Sequence, residues 1–269
     1  MDNPKYSFII PTFNRLGELK ELLKSFESID YPRNQFEILI VDDGSSDGTK
    51  EYLESYHSKL TVTVISQQNM GPGIARNNGM EKATGDYFIF IDSDCTVPAD
   101  YLYSVDSALL QHGFDAFGGP DTYRDDFPSL LKAINYSMTS FIGTGGTRGS
   151  KTSVTKFYPR SFNMGIHRKV FEKIGGMGEL RHGQDMDYSA RIYKAGFKVG
   201  LIQDAFVYHK RRTSLWKFFK QIFNWGVARI NLARIHPELL KPIHLAPSIS
   251  LTVVTVGSGL SAALNIFSE

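Results

Sequence analysis

Cysteine occurs once in this chain of 269 residues, at Cys95, so no disulfide can close within it and nothing calls for an oxidising compartment. Net charge is nearly absent as well. At +2 overall the chain is not the uniformly basic kind that binds nucleic acid. The dinucleotide fingerprint G-x-G-x-x-G and the Walker lysine pattern are missing, which excludes the usual dinucleotide and ATP readings. No charged-then-apolar leader precedes the first strand pattern at residues 6–10, so the expectation is a chain made for the cytosolic side.

Two further shortages are local. Acid is scarce between residues 210 and 241, where eight Lys and Arg face the single acidic residue Glu238. That asymmetry points to contact with phosphates or an anionic surface. Charge then disappears from residues 245–268, a stretch long enough to cross a bilayer but diluted by serine, threonine, glycine, Asn265 and Pro247. It reads either as a membrane segment or as a packed tail. If it inserts, the basic stretch before it stays cytoplasmic.

What is present is a regular alternation of two periods. Residues 7–10, 37–41, 62–65 and 87–91 read as strands. Between them, Leu19, Leu22, Leu23 and Phe26 fall at helical spacing, Ser45, Ser46 and Asp47 offer caps for a helix through Tyr56, and residues 74–82 read as a third helix. Strands joined by helices imply an α/β fold, with a doubly wound, mostly parallel sheet covered on both faces. A helix at 100–111 and a short strand at 115–119 follow, and then regularity fades. The stretch 143–153, rich in Gly, Thr and Ser, reads as a mobile loop, either a lid or a plain solvent loop. Further elements are expected at 163–167, 168–174, 185–195, 198–201, 205–208 and 215–235.

Polar residues gather where the strands end. Strand one runs into Pro11-Thr12-Phe13-Asn14-Arg15, strand two into Asp42-Asp43-Gly44, and strand four into Asp92-Ser93-Asp94. In an open α/β sheet ligands bind beyond the carboxyl ends of strands, and paired carboxylates there suit Mg²⁺ or Mn²⁺ on a diphosphate. A planar base can stack on Pro11 and Phe13 while Asp43 accepts the imide N–H of uracil or thymine. Arg76, near the start of the helix that follows Gly71-Pro72-Gly73, can meet an anion. Each of these has a plain alternative: Asp-Ser-Asp and Asp-Asp-Gly also make turns and helix caps, and Arg76 can be a surface arginine. Cys95 reads as packing.

Taken in order, PTFNR, VDDGSSDGT, NMGPGIARNNG, the GDYFIFIDSD strand, FNMGIHR and GQDMDYSARI resemble the family 2 glycosyltransferases of GT-A fold. The resemblance covers roughly residues 7–212. It implies an inverting enzyme with a nucleotide-binding first half and an acceptor-binding second half. By that resemblance Pro11, Phe13 and Asp43 hold the nucleobase, with Thr12, Asn14, Arg15, Gly71, Arg76 and Ser93 around the donor. Asp92 lies near the ribose and Asp94 binds the metal. Asp185 is the implied base, with Asp187 as fallback. Gln184 departs from the family, which usually has Glu before that aspartate. His209 completes the metal shell, and Asn163 contacts donor sugar or acceptor.

Gln221-Ile222-Phe223-Asn224-Trp225 is similar to the QxxRW element of processive polysaccharide synthases, but Asn224 stands where arginine belongs, which argues against processive polymerisation. Trp225 stacks on an acceptor or packs in the core of its helix. The helix at 215–235 places aromatic residues among basic ones, as membrane-interface helices do, with packing against the enzyme as the alternative.

The expected organisation is a catalytic domain at 1–212, a basic aromatic helical segment at 213–244 and the uncharged tail at 245–269. The expected reaction is metal-dependent transfer from a nucleoside diphosphate sugar, UDP first among them, to a hydroxyl of a glycan or lipid-linked acceptor. It would serve surface polysaccharide or glycoconjugate synthesis at the cytoplasmic face of a membrane. A sugar nucleotidyltransferase and a non-catalytic nucleotide- or glycan-binding module remain as alternatives. The former should carry a basic, Gly-rich triphosphate loop where this chain has PTFNR.

Overall fold

A computed structural model of the chain describes residues 4–123, 127–139, 156–180, 182–210, 214–240 and 244. The glycine-rich stretch 143–153, with Arg148 and Lys151, and the uncharged tail 245–269 lie outside the described residues. The chain divides into two compact units, residues 1–225 and 226–269.

The first half builds as its periodicity predicts. Strand β1 (Tyr6–Thr12) leads through helix α1 (Leu16–Glu27) and a 3-10 turn (Arg33–Gln35) to β2 (Phe36–Asp42). Helix α2 (Thr49–Glu54), β3 (Val62–Ser66), α3 (Pro72–Lys82) and β4 (Tyr87–Ile91) follow. After β4 come β5 (Cys95–Thr96), α4 (Tyr101–His112), β6 (Ala116–Gly118), β7 (Asp121–Thr122) and α5 (Ser129–Thr139). The second half supplies β8 (Asn163–His167), α6 (Arg168–Ile174), α7 (Gln184–Lys194), β9 (Val199–Leu201), β10 (Val207–His209) and α8 (Leu215–Ile235).

Seven strands form one sheet in the order β3-β2-β1-β4-β8-β6-β9. The pairs β1 with β2, β2 with β3, β1 with β4, and β6 with β9 are parallel, while β8 runs antiparallel to both β4 and β6. The chain winds outward from β1 to β3 and then returns to place β4 on the other side of β1. The switch in winding direction therefore falls between β1 and β4, where α/β sheets open a ligand crevice. A second sheet, β5-β10-β7, stands next to the end of β4. Its strands are two or three residues long, too short to show a period in the sequence.

Strand alternation divides the core in two. Phe8, Ile10, Ile38, Ile40, Ile89 and Ile91 point to one face, where Leu19, Leu22, Leu23 and Phe26 of α1 and Leu102 and Val105 of α4 cover them. Ile9, Leu39, Phe88 and Phe90 point to the other, against Met80 of α3, Val170 of α6, and Tyr188 and Ile192 of α7. All of these are essentially inaccessible to solvent, and each large side chain so buried contributes about 1.5–3 kcal/mol.

At the opposite end of the sheet from the site, the buried carboxylate of Glu37 holds the entry to β4. Its Oε1 accepts from Ser7 Oγ at 2.7 Å, Thr84 N at 2.6 Å and Thr84 Oγ1 at 2.8 Å. Burial alone would raise its pKa, yet these donors hold it below the ordinary value of 4.5. Such a group stabilises the fold above its unfolded pKa, and the contribution is lost as pH falls through the lowered folded value. Glu37→Gln is therefore expected to destabilise the protein at neutral pH. The gap to wild type, followed by denaturant unfolding, should shrink as the pH is taken below 4.5.

Candidate active site

Three loops at the carboxyl ends of β1, β2 and β4 are stitched together by side chains that the sequence places one to five residues after each strand. Asn14, the one non-glycine residue at positive φ among those described, accepts Ser46 N on its Oδ1 at 2.8 Å and donates its own N–H to Ser45 Oγ at 2.9 Å. Asp47 accepts Leu16 N at 2.9 Å, which caps the start of α1 from the neighbouring loop. Asn14 thus shapes the loop, and Phe13 beside it is 45% exposed. Pro11 was expected to share base stacking with Phe13. It is instead buried within β1 opposite Val41, so the exposed ring is that of Phe13.

Asp43 is buried, and its carboxylate organises the turn into α3. It accepts from Gln67 Nε2 at 2.7 Å, Met70 N at 2.8 Å and Gly71 N at 2.9 Å. A carboxylate offers roughly four acceptor positions, so room for a further donor remains. Gly71 has φ +90, a conformation that disfavours any side chain. Two residues on, a Cβ at Gly73 would collide with the amide of Gln184. Gln184 therefore lies against the start of α3, and the helix carrying the expected base packs onto the loop expected to hold the donor.

Beyond β4 the two carboxylates part. Asp92 pairs with Arg76, whose side chain is only 4% exposed. Ser93 between them is buried. Asp94 turns toward the second sheet, with Oδ2 accepting from Arg15 Nη1 at 2.9 Å and Oδ1 lying 3.3 Å from His209 Nε2. On the far side of the imidazole, Nδ1 is 3.3 Å from Asp121 Oδ2. Burial by itself would strip the proton from His209, but the carboxylates of Asp94 and Asp121 push its pKa up to about 9.

Asp94 and His209 fit a divalent cation. Two ligands at right angles, each about 2.1 Å from one ion, are separated by about 3 Å, close to the spacing these two atoms already have. Cys95 shares the cluster, but burial, reinforced by Asp94 and Asp92, pushes its thiol well above the ordinary value. A thiol kept protonated and soft suits a hard cation poorly, so Cys95 packs rather than ligates. Among the described residues, three buried side-chain atoms lack a well-aligned hydrogen-bond partner: Thr12 Oγ1, Arg76 Nε and His209 Nδ1. They belong to the ends of β1 and β10 and to the arginine bound at the end of β4, and buried groups of this kind are costly unless a ligand meets them.

Asp185 stands at the start of α7, with Oδ1 accepting its neighbour's Met186 N at 2.9 Å and Oδ2 lying 3.5 Å from Arg160 Nη1. Asp187, the fallback, accepts from Arg191 Nε at 3.0 Å, while Arg191 itself clamps the carbonyls of Ile174 and Gly176. That buried network is structural and removes Asp187 from consideration as a base. Asn163 needs a similar correction. It is completely buried, its Oδ1 accepting from Tyr101 OH at 2.6 Å and its Nδ2 donating to Ala205 O at 2.7 Å. It fastens β8 beneath the site and has no face left for sugar or acceptor. Trp225, on α8, is 37% exposed. Lys210 pairs with Glu21 at 3.0 Å, and Arg211 and Arg212 lie outside the described residues.

Asp121, Gln67 and Arg160 are participants that no sequence pattern marked. Each lies in a very short strand or outside the regular elements and meets its site partner 24 to 88 positions away, His209, Asp43 and Asp185 in turn, so no spacing rule could reveal them.

The family described as Glycosyl transferase family 2 matches residues 7–175, well over half of the chain, and the chain belongs to that family. Among curated relatives, glycosyltransferase AglE of Haloferax volcanii is 29% identical over 248 residues, covering 86% of this chain and 78% of that one. A Campylobacter jejuni enzyme named GalNAc(5)-diNAcBac-PP-undecaprenol beta-1,3-glucosyltransferase is 34% identical over 226 residues, covering 81% and 66%. Among solved structures, Staphylococcus aureus TarS 1–349 in complex with UDP-GlcNAc aligns with TM-score 0.61 at 23% identity, covering 78% of this chain and 59% of that one. Mannosyltransferase PcManGT from Pyrobaculum calidifontis, in complex with GDP-Man and Mn²⁺, aligns with TM-score 0.67 at 21% identity, covering 92% and 68%. The matched stretch spans only a fifth of the TarS sequence. These likenesses, together with the sheet order, establish the GT-A fold, and the chain is a glycosyltransferase.

Asn163→Leu is expected to cost about 1–3 kcal/mol, the penalty for leaving the Tyr101 hydroxyl and Ala205 carbonyl unpaired in the core. Thermal unfolding should register that loss, while nucleotide affinity of the folded protein stays unchanged.

Proposed function

We propose that the chain moves a sugar from a nucleoside diphosphate sugar, UDP-linked first among candidates, to a hydroxyl of a glycan or lipid-linked acceptor with inversion at the anomeric carbon. The observation that carries this reading is the meeting of two groups of residues. Asp92, Asp94, Arg76 and His209 gather at the β1–β4 switch point, and Asp185 heads a helix whose Gln184 rests on the donor loop. The nucleotide-sugar complexes of TarS and PcManGT and the lipid-linked substrate in the name of the Campylobacter relative support it.

The residues divide the labour as follows. Phe13 stacks on the base, and Asp43 with Gly71 frames its pocket. Thr12, Asn14, Arg15 and Ser93 shape the loop ends around the ribose and diphosphate, with Asp92 nearest the ribose. Asp94 and His209 would hold Mn²⁺ or Mg²⁺, which would supply positive charge to the diphosphate. Arg76 and Lys210 add fixed positive charge at the same edge. On the acceptor side, Asp185 takes the hydroxyl proton as the acceptor oxygen bonds to the anomeric carbon, and the bond to the diphosphate breaks with its electron pair leaving on that group. Arg160 holds the carboxylate in place. A single displacement inverts the configuration and needs no enzyme nucleophile.

The setting we infer is the cytoplasmic face of a membrane, in surface polysaccharide or glycoconjugate synthesis. Support comes from the exposed side chains of α8, among them Leu215, Trp216, Phe219 and Phe223. Among the described residues no helix is long and apolar enough to cross a membrane. Catalytic residues 1–212, the basic aromatic segment 213–244 and the tail 245–269 are the working parts under this reading.

Screening nucleotide sugars for release of UDP, GDP or dTDP with and without Mn²⁺ tests the reaction. Chelation with EDTA should abolish turnover, and Asp94→Asn should require higher metal concentrations. Asp185→Asn should lower kcat by about 10²–10⁴-fold, the usual worth of a general base, with donor KM nearly unchanged. Pyrophosphate in place of a nucleoside diphosphate would assign the chain to nucleotidyl transfer. Wild-type turnover by Asp185→Asn would remove that residue from the base role.

A further inference from the structure

Helix α3 reaches Asp43 through a relay of side-chain amides. Asn78, on α3, donates from Nδ2 to Gln67 Oε1 at 2.6 Å, and Gln67, directly after β3, donates from Nε2 to Asp43 Oδ1 at 2.7 Å. The orientation of the Gln67 amide follows from these partners. Toward a carboxylate it presents Nε2, and the Asn78 amide fixes Oε1 on the other side, so turning the Gln67 amide over would lose both bonds. Its backbone is held as well. Gln67 N donates to Asp42 O at 3.0 Å, and Gly44, at φ +82, lies so close that a Cβ there would stand 3.3 Å from Gln67 O.

This relay controls what the strand ends show to a ligand. Asp43 Oδ1 accepts two N–H groups, from Gln67 and Met70, and Oδ2 accepts one, from Gly71, which leaves one acceptor position on Oδ2. An amide nitrogen carries two hydrogens, and Gln67 Nε2 has no acceptor other than Asp43 among the described residues. A fixed donor thus stands beside the carboxylate, on a side chain that is only partly buried. Asp43 N donates to Thr12 O at 2.9 Å, which brings this pair alongside the strand end that carries the exposed ring of Phe13.

We propose that Gln67, fixed by Asn78, is a specificity-determining residue of the donor site: Asp43 takes a ring N–H of the base, and the second Nε2 hydrogen of Gln67 meets the carbonyl next to it. Uracil, thymine and guanine show an N–H beside a carbonyl on that edge. Cytosine and adenine carry the two functions in the opposite order. With the ring's direction set by the ribose, they put a nitrogen lone pair against Asp43 and an amine against Gln67, and each mismatch leaves polar groups unpaired. The proposal deepens the donor reading above and rests on Asp43 facing the base.

The test measures binding of UDP, CDP, GDP and ADP to the full chain by calorimetry at one fixed Mg²⁺ concentration, so that ribose, diphosphate and metal are common to all. Within whichever pair of equal ring size binds more tightly, the keto base should lead the amino base by about 100-fold, about tenfold for each mismatched group. Gln67→Met should reduce that ratio to about tenfold, chiefly by weakening the keto nucleotide. Asn78→Leu should lower it in the same direction, and the double variant should fall no further than Gln67→Met alone, since Asn78 acts through Gln67. A residue that merely braced the loop would weaken both nucleotides alike.

Equal binding of keto and amino nucleotides by wild type, an unchanged ratio in Gln67→Met, or an additive loss in the double variant overturns the proposal, and the first of these needs no variant to fold. Tight binding without discrimination defeats the role of Gln67 and leaves the donor reading intact, whereas no binding of any nucleotide defeats both.

Discussion

β1 and β4 are buried on both faces, and that single constraint places everything polar in the site. A strand with apolar cover above and below holds a charged side chain only where donors meet it, as Ser7 and Thr84 meet Glu37 of β2, because burying an unpaired charge costs several kcal/mol. Thr12, Asp92 and Asp94 therefore appear only where the chain leaves the sheet. The change in winding direction between the two strands opens the crevice at the same end. Core packing and site position are in this sense one fact: Phe8, Ile9, Phe88 and Phe90 seal the faces, and the polar residues take the edge that remains.

Once carboxylates gather at that edge, their mutual repulsion has to be offset. Arg76 answers Asp92, Arg15 answers one oxygen of Asp94, and a protonated His209 lies between the other oxygen and Asp121. The second sheet exists to bring these together. β10 pairs with β5 directly after Asp94 and with β7 at Asp121, so three short strands carry His209 between two carboxylates that the main sheet alone would leave apart. The same imidazole that balances charge as a cation can, without its proton, share a metal ion with Asp94. The starts of α3 and α7 meet through packing rather than charge, since Gly73 is small enough for Gln184 to rest on it. The neutral Gln184 suits a contact made against backbone.

Legibility followed periodicity. Strands β1 to β4 and the helices between them could be read because four or more residues repeat with period two or about 3.6, and the structure agrees to within a few residues. The two-residue strands β5 and β7 and helix α5 could not, since the first two are shorter than any repeat and the last begins in a segment of mixed composition. Among candidate site residues, position was legible where a strand end dictates it, as for Asp92 and Asp94 beyond Ile91. Legibility failed where burial decides use. Asn163 lies in a polar turn that invites a binding role, yet Tyr101 and Ala205 take up its amide. Pro11 follows the same logic, its ring covered within the sheet.

By itself the sequence determined the alternating architecture, the family and the sheet edge where chemistry gathers, because these depend on local period and on residues adjacent in the chain. Only the tertiary structure decided which carboxylate faces which cation, that Asp187 is tied to Arg191 while Asp185 meets Arg160, and that Tyr101 and Ala205 take up the amide of Asn163. Those outcomes depend on contacts between distant segments and on which side of a helix is covered. Neither leaves a local pattern, since the energy of a buried pair comes from its surroundings and not from its neighbours in sequence.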